Sequence, residues 1–291
     1  MYLGIDLGGT KIAAGLVDRD GHVSSLQVQP TDAAGSEEVV KQLVQLLRRY
    51  REQGVRAAGI GIPGIAERGT GRVWAPNIPG WDYIPLRSRL AEASGLPVVV
   101  ESDRNTAVLG ELLYGAARGC RDVVYLILGT GIGAGIVSGG RLVRGHDEIA
   151  GSVGWVPVSF EGELRHFEEV AAGPAIVRHA CRRGLAGTVP ELASLAASAH
   201  PGAIRLFAEV GSVVGRVLAL LVSLLNPQLI LLGGGVSRSW QWMKQDALDA
   251  MQRWSQPEAV KRVRVQPGSL GLEAGVLGAA AAARLEGGES G

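Results

Sequence analysis

Leu7-Gly8-Gly9-Thr10-Lys11-Ile12-Ala13-Ala14-Gly15-Leu16-Val17 stands near the N-terminus, and a shift of 120 positions brings it onto Leu128-Gly129-Thr130 and Ile132-Gly133-Ala134-Gly135-Ile136-Val137. Gly9/Gly129, Thr10/Thr130, Ile12/Ile132, Ala14/Ala134, Gly15/Gly135 and Val17/Val137 are identical pairs, with no gap between the copies. Apolar runs precede both, Tyr2 to Ile5 and Val123 to Leu128, so each copy reads as strand, glycine-rich turn, strand. A tight glycine turn lets backbone N–H groups converge on an anion, and a Thr hydroxyl adds a donor. Two such hairpins would grip a polyphosphate from two sides. Either copy alone also reads as an ordinary hairpin using Gly for turn geometry; the repetition favours the phosphate reading.

The bulk numbers narrow the class. With 291 residues the chain is one large or two medium domains, and 46% apolar against 5% aromatic residues makes the core mainly aliphatic. A net charge of +1 without a Lys/Arg run shows no nucleic-acid footprint. The longest apolar segment, Val217 to Leu225, is short for a bilayer, and Tyr2 to Ile5 already reads as a buried strand rather than a signal peptide. Cys120 and Cys181 form neither a disulfide framework nor a metal quartet. A soluble cytoplasmic protein is the expectation.

Further along, His22 to Val28 reads as a strand, and Ser36 as the N-cap of a helix carrying Val39, Val40, Leu43, Leu46, Leu47 and Tyr50 at helical spacing. Ala57 to Ile62 alternates Gly with Ile, a buried strand approached closely by something. Ile65 to Tyr83 reads as a long, functional loop. The Pro97–Val100 strand leads into Glu101-Ser102-Asp103-Arg104-Asn105 and a helix from Thr106, and ligands bind at such corners of doubly wound sheets. The second half repeats the plan, with a polar loop from Gly145 to His166 and helices at Glu168–Arg183, Glu191–Ser198, Ala203–Leu225, Trp240–Trp254 and Leu272–Leu285. Gln228–Leu232 and Val263–Gln266 read as strands, and Glu286 to Gly291 as a disordered tail. The outcome is a mixed-sheet, duplicated α/β unit with a cleft between halves.

Asp6-Leu7-Gly8-Gly9-Thr10-Lys11, Gly61-Ile62-Pro63-Gly64, Ala75-Pro76-Asn77-Ile78-Pro79-Gly80-Trp81, Leu128-Gly129-Thr130-Gly131-Ile132-Gly133 and Leu231-Leu232-Gly233-Gly234-Gly235 complete the pattern. Together they resemble the ROK family of sugar kinases and sugar-responsive repressors, within the actin and hexokinase superfamily, over about residues 2 to 284. The resemblance implies an actin-like (ribonuclease-H-like) ATPase fold of two lobes. Residues 1–117 would carry sugar, phosphate and base, 118–271 the nucleotide, and 272–291 a helix returning to the first lobe plus the tail. It implies that Gly8, Gly9, Thr10, Lys11, Gly129, Thr130, Gly131 and Gly133 hold ATP phosphates, that Gly233, Gly234 and Gly235 lie near the adenosine, and that Asp6 positions Mg²⁺ through water. The local alternative for Gly233–Gly235 is a turn that starts a helix. Asp103 resembles the family's general base, although an Asp before a helix is also a common N-cap.

For the sugar, the resemblance implies Gly64, Asn77 and Glu168, the last also readable as a first-turn helix carboxylate. Three positions depart from it. Ser102 stands for an Asn, and Ser152-Val153-Gly154-Trp155 stands for Glu-x-Gly-His. The zinc segment Cys-x-Cys-Gly-x-x-Gly-Cys is replaced by the cysteine-free Ser159–His166. No zinc is expected. Ser102, Ser152 and Trp155 are expected beside the sugar with Asp103, Trp155 offering a flat face and one N–H donor to an acetamido, amino or aglycone group. The alternative is that Trp155 packs away from the sugar into the space vacated by the metal. The implied function is ATP- and Mg²⁺-dependent phosphorylation of a hexose or derivative, by a protein without nucleic-acid or membrane partners and with a homodimer left open. The alternatives are a sugar-binding pseudokinase and a sugar-responsive regulator lacking its DNA-binding module.

Overall fold

The computed structural model describes Met1–Glu286 of the 291 residues. Two compact units emerge: Met1–Gly119 with Arg144–Ala150 and the segment from Ser269 onward, and Cys120–Val143 with Gly151–Gly268.

The first unit opens with β1 (Tyr2–Leu7), β2 (Lys11–Val17) and β3 (Val23–Pro30). Helix α1 (Ser36–Arg51) buries the six apolar residues expected from its spacing. Its cap differs from expectation. Gly35, at φ 71°, is the N-cap, and Ser36 is the first helical residue, its N–H donating to the Pro79 carbonyl at 2.8 Å. Then come β4 (Ala58–Ile62), β5 (Ile65–Ala66), β6 (Val73–Trp74), α2 (Leu86–Ser94), β7 (Val98–Ser102) and α3 (Asp103–Tyr114). The sheet order is β3-β2-β1-β4-β7, antiparallel across β1–β2 and parallel across β1–β4 and β4–β7.

The second unit begins with β8 (Val123–Leu128), β9 (Ile132–Ser138) and β10 (Arg141–Leu142). The expected polar loop contains a hairpin, β11 (Pro157–Phe160) and β12 (Glu163–His166). The expected helix from Glu168 to Arg183 is two helices, α4 (Phe167–Ala171) and α5 (Gly173–Arg182). Pro174 has no N–H to continue α4, so Ala172 is extended and a new helix starts. Next are α6 (Val189–Ala197), α7 (Pro201–Leu225), β13 (Leu229–Gly233), α8 (Trp240–Trp254), α9 (Pro257–Val260) and β14 (Arg264–Pro267). Their sheet order, β10-β9-β8-β13-β14, repeats that of the first unit. Helix α7 is long and apolar enough to cross a membrane by length and composition, yet Leu206, Phe207, Val210, Val213, Val214, Val217 and Leu218 are buried in this unit's core.

Last comes α10 (Ala274–Glu286), which belongs to the first unit and packs on β1, β4 and α3. Glu286, expected in the tail, closes this helix; the rest of that tail, residues 287–291, lies outside the described residues. The glycines of β1 and β4 now have their reason. A methyl on Gly4 would fall 1.9 Å from the Val276 carbonyl oxygen, and one on Gly59 1.8 Å from that of Ala279. Glycine in the strands and alanine in the helix bring backbone against backbone.

The repeated hairpins are not superimposable residue for residue. Gly4 pairs with Gly15, but Tyr125, not Val124, pairs with Gly135. Gly8–Lys11 separate the paired Leu7 and Ile12, whereas Gly129–Gly131 alone separate Leu128 and Ile132. The ungapped match thus holds for the returning strands, while the outgoing strands are offset by one residue, absorbed in the shorter second turn.

Candidate active site

None of Gly8, Gly9, Gly129 or Gly131 has a positive φ. A methyl on Gly9 would meet Asn77 no closer than 3.4 Å, and one on Gly129 would meet Gly131 and Ile127 no closer than 3.7 Å. These two turns therefore need glycine at Gly9 and Gly129 neither for backbone conformation nor for protein packing. The absence of a side chain leaves the backbone open to close approach, which the phosphate reading requires. The Gly8 carbonyl accepts the Thr31 hydroxyl at 2.7 Å, and the Thr10 carbonyl the Thr31 N–H at 3.0 Å, fixing the first turn while Gly9, Thr10 and Lys11 stay exposed. Gly9 and Asn77 are neighbours, so the first turn and an expected sugar residue share one locale.

At the end of β7, Asp103 is the first residue of α3, and its side chain does not cap the helix in the usual way. Its Oδ1 accepts the N–H of Arg104 at 2.7 Å, and its carbonyl accepts the Thr106 hydroxyl at 2.9 Å. The side chain is reached by solvent yet lies deep among protein atoms. Burial pushes its carboxyl up to about 6, against the Arg104 amide and charge, with the Asp6 charge adding to the rise. A carboxylate poised there suits proton abstraction near neutral pH. Three supporting residues escape a reading by motif. Buried Glu101 accepts the Ser102 N–H at 2.9 Å, the Asn105 amide at 2.7 Å and the Arg144 guanidinium at 2.8 Å, while Arg104 donates to the Glu148 carbonyl at 2.9 Å. Arg144 is distant in sequence, and only the chain's brief return to the first unit brings it there.

Asp6, half-buried at the end of β1, has its carboxyl raised by burial and lowered in part by the charge of Lys11. Its carboxylate accepts no hydrogen bond among the described residues. A methyl on Gly275 would fall 2.3 Å from its Oδ2. A desolvated, unsatisfied carboxylate fits a hydrated divalent cation.

The sugar residues sort differently. Gly64 is demanded by crowding, since a methyl would sit 2.1 Å from the Trp74 carbonyl oxygen. Ser102, expected as a sugar contact, is 1% exposed, and its Oγ is buried without a partner among the described residues. In the second unit, Glu168 Oε2 accepts the Ile132 N–H at 2.6 Å and lies beside Gly131 and Gly154. Glu168, the second turn and the Ser152–Trp155 segment are thereby gathered. Ser152 precedes a single 3₁₀ turn, its carbonyl accepting the Trp155 N–H at 3.2 Å. Trp155 is 72% exposed and touches His166 edge-on at 5.1 Å, which sets aside the alternative in which it is packed into the space vacated by the metal.

A cavity of about 650 Å³ in this unit is lined by Gly129, Thr130, Pro174, Val177, Val189 and Gly235, among others. Gly233 and Gly234 do not line it. They are packed against Tyr125 and Leu128, where methyls would fall 2.2 and 2.3 Å from oxygen atoms. The wall formed by α5 and α6 was not assigned from sequence. Its signal was Thr188-Val189-Pro190-Glu191, where the Thr188 side chain accepts the Glu191 N–H at 3.2 Å and starts α6.

Residues 2–286 match the family described as ROK. The chain belongs to the ROK family. A glucokinase of Streptomyces coelicolor is 34% identical over 313 residues, covering 98% of each chain. An N-acetylmannosamine kinase of Citrobacter koseri is 29% identical over 96% of this chain and 97% of its own. The crystal structure of a ROK family glucokinase from Streptomyces griseus in complex with glucose and AMPPNP is 34% identical, with a TM-score of 0.80 over 98% of this chain and 99% of that one. The fold is accordingly the actin-like ATPase fold of ROK sugar kinases.

Against the ROK pattern, the zinc-segment position is occupied by the β11–β12 hairpin. Glu161 at φ 52° and Gly162 at φ 82° make its two-residue turn, Val158 and Phe160 point into the core, and Phe160 meets the His179 ring at 4.7 Å. A closed tetrahedral site needs four clustered ligands, and this stretch offers no cysteine. The residues do not fit zinc. We expect chelated, metal-free protein to keep its thermal midpoint; stoichiometric zinc whose removal unfolds the chain would refute this.

Proposed function

We propose that this ROK protein transfers the terminal phosphoryl group of ATP to a hydroxyl of a hexose or hexose derivative, with Asp103 as general base. The position of Asp103 supports it best: a solvent-reached carboxylate, held at the start of α3 and raised to about 6, in the same unit as a phosphate turn built of unconstrained glycines. Asp103 takes the hydroxyl proton as the sugar oxygen attacks the γ-phosphorus, and ADP leaves in line. The turns at Gly8–Lys11 and Gly129–Gly131 position the phosphates, and the cavity beside Gly235 receives the base and ribose. Mg²⁺, when bound through water at Asp6, supplies charge neutralisation for the phosphates.

ADP release measured over glucose, mannose, glucosamine and their N-acetyl forms tests the reading. Failure to turn over any hexose while ATP still binds would make the protein a sugar binder rather than a kinase. Within that panel we expect glucose not to be the best substrate. Ser152 is too short to replace the glutamate of the ROK pattern, and a hydrogen bond to a charged group is worth roughly 1.5–3 kcal/mol. The exposed face of Trp155 suits an acetamido or other partly apolar substituent. Glucose matching every derivative in kcat/KM would end that idea.

The turn itself gives a separable result. Gly129→Ala should leave the thermal midpoint unchanged or slightly raised, since Gly→Ala at a compatible conformation stabilises by about 0.4–1 kcal/mol. It should raise the KM for ATP about tenfold or more, by holding phosphate off the backbone donors. An unaltered KM would show that Gly129 does not approach the nucleotide.

A further inference from the structure

A second cavity lies apart from the one beside Gly235. It measures about 880 Å³, lies in the second unit among the end of α5, the β11–β12 turn and the first half of α7, and shares no residue with the other. Its walls carry Arg183, Arg205 and Arg216 against Glu161 and Glu209, one more positive than negative charge. The pairing is uneven. Arg183 spans both carboxylates at 2.6 Å, and Arg205 reaches Glu209 at 3.0 Å. Arg216, half-buried, has no carboxylate partner among the described residues; it donates only to the Ser159 carbonyl at 2.6 Å. Burial pulls its guanidinium below the ordinary range.

Arg205, Glu209, Ser212 and Arg216 follow helical spacing, so α7 presents one polar stripe of mixed charge to this cavity. A half-buried guanidinium without a counter-charge is costly unless an anion completes it. Its planar fork matches phosphate, and Ser212 and His200 offer further polar groups on the same walls. Phe160, Leu185 and Val213 add an apolar surface suited to a short carbon skeleton. The volume falls within the range of small-molecule sites. We propose that this cavity binds a small phosphate monoester, or the free phosphate ion that shares its chemistry, at a site separate from the one where phosphoryl transfer occurs. The inference does not depend on which sugar the enzyme uses.

Isothermal titration with glucose 6-phosphate and with inorganic phosphate tests this, on wild-type protein and two variants. Arg216→Gln removes the uncompensated charge. Ser212→Asp leaves Arg216 and its Ser159 bond intact but puts a carboxylate in the cavity. Wild type should bind at least one ligand with a Kd of about 1 mM or tighter. Both variants should weaken that binding about tenfold or more, while ADP release with the best sugar of the panel stays at the wild-type rate. Tighter binding of the ester would assign the apolar wall a role, and tighter binding of the free ion would assign the site to phosphate itself. The proposal is overturned if wild type binds neither ligand, or if Ser212→Asp, folded by its thermal midpoint, binds both as wild type does.

Discussion

Asp103→Asn is expected to lower phosphoryl transfer about a hundredfold or more while nucleotide affinity stays near wild type. The amide keeps the size and the Oδ1 acceptor that receives the Arg104 N–H at 2.7 Å, so the start of α3 should survive. What is lost is the ability to take a proton. The same group predicts a pH profile. With the carboxyl at about 6, kcat/KM should fall about tenfold per pH unit below that value, and Asp103→Asn should flatten this limb. Unfolding does not explain such a fall. A carboxyl raised above its ordinary 3.8 binds more protons in the native state, so its contribution to stability grows as pH falls from about 6 toward 3.8. Near-wild-type turnover by Asp103→Asn, or an acid limb that persists in it, would remove Asp103 from the chemistry.

Gly59→Val should be the most damaging single change outside the site. Even a methyl there would fall 1.8 Å from the Ala279 carbonyl oxygen, and a backbone oxygen cannot rotate aside as a side chain can. Helix α10 must lift from the sheet or the strand must bend. Overpacking typically costs about 1–3 kcal/mol and occasionally more, and this contact lies at the severe end. Against a total stability of roughly 5–15 kcal/mol, the thermal midpoint should drop by about 10 °C or the protein should be recovered insoluble. Gly129→Ala is the matched control, lacking both crowding and unusual φ. A Gly59→Val protein melting with wild type would mean that α10 does not lie on β4 in solution.

Much of this was legible because local physics and final fold agree. The α1 spacing buries its six apolar residues, and Gly95, at φ 68°, ends α2. The alternation of Gly with Ile in β4 announced a close neighbour but not its identity. That neighbour, α10, lies more than 200 positions along the chain, beyond the reach of any local pattern. The one-residue offset between the hairpins was hidden for a related reason. Sequence identity is concentrated at the turn and returning strand, whereas pairing is decided along the whole ladder. Around the site, motif reading singled out Asp103 and both turns, whose roles are proposed above. It did not foresee that Ser102 is buried and Trp155 exposed, since exposure depends on tertiary packing, and it missed Glu101, Arg104 and Arg144, which act through contacts between distant segments.

The position of α10 also sets a schedule for biosynthesis. β1 and β4 emerge from the ribosome first, yet the helix that covers Tyr2, Val17 and Ala57 begins only at Ala274. At about 5–20 residues per second, that leaves an interval of roughly 10–40 seconds during translation. Throughout it, the earliest-made sheet lacks the helix that covers its apolar, glycine-lined face in the finished protein. A chain that ends before Ala274 lacks the helix that covers Tyr2, Val17 and Ala57 and so exposes a surface that the finished protein keeps buried.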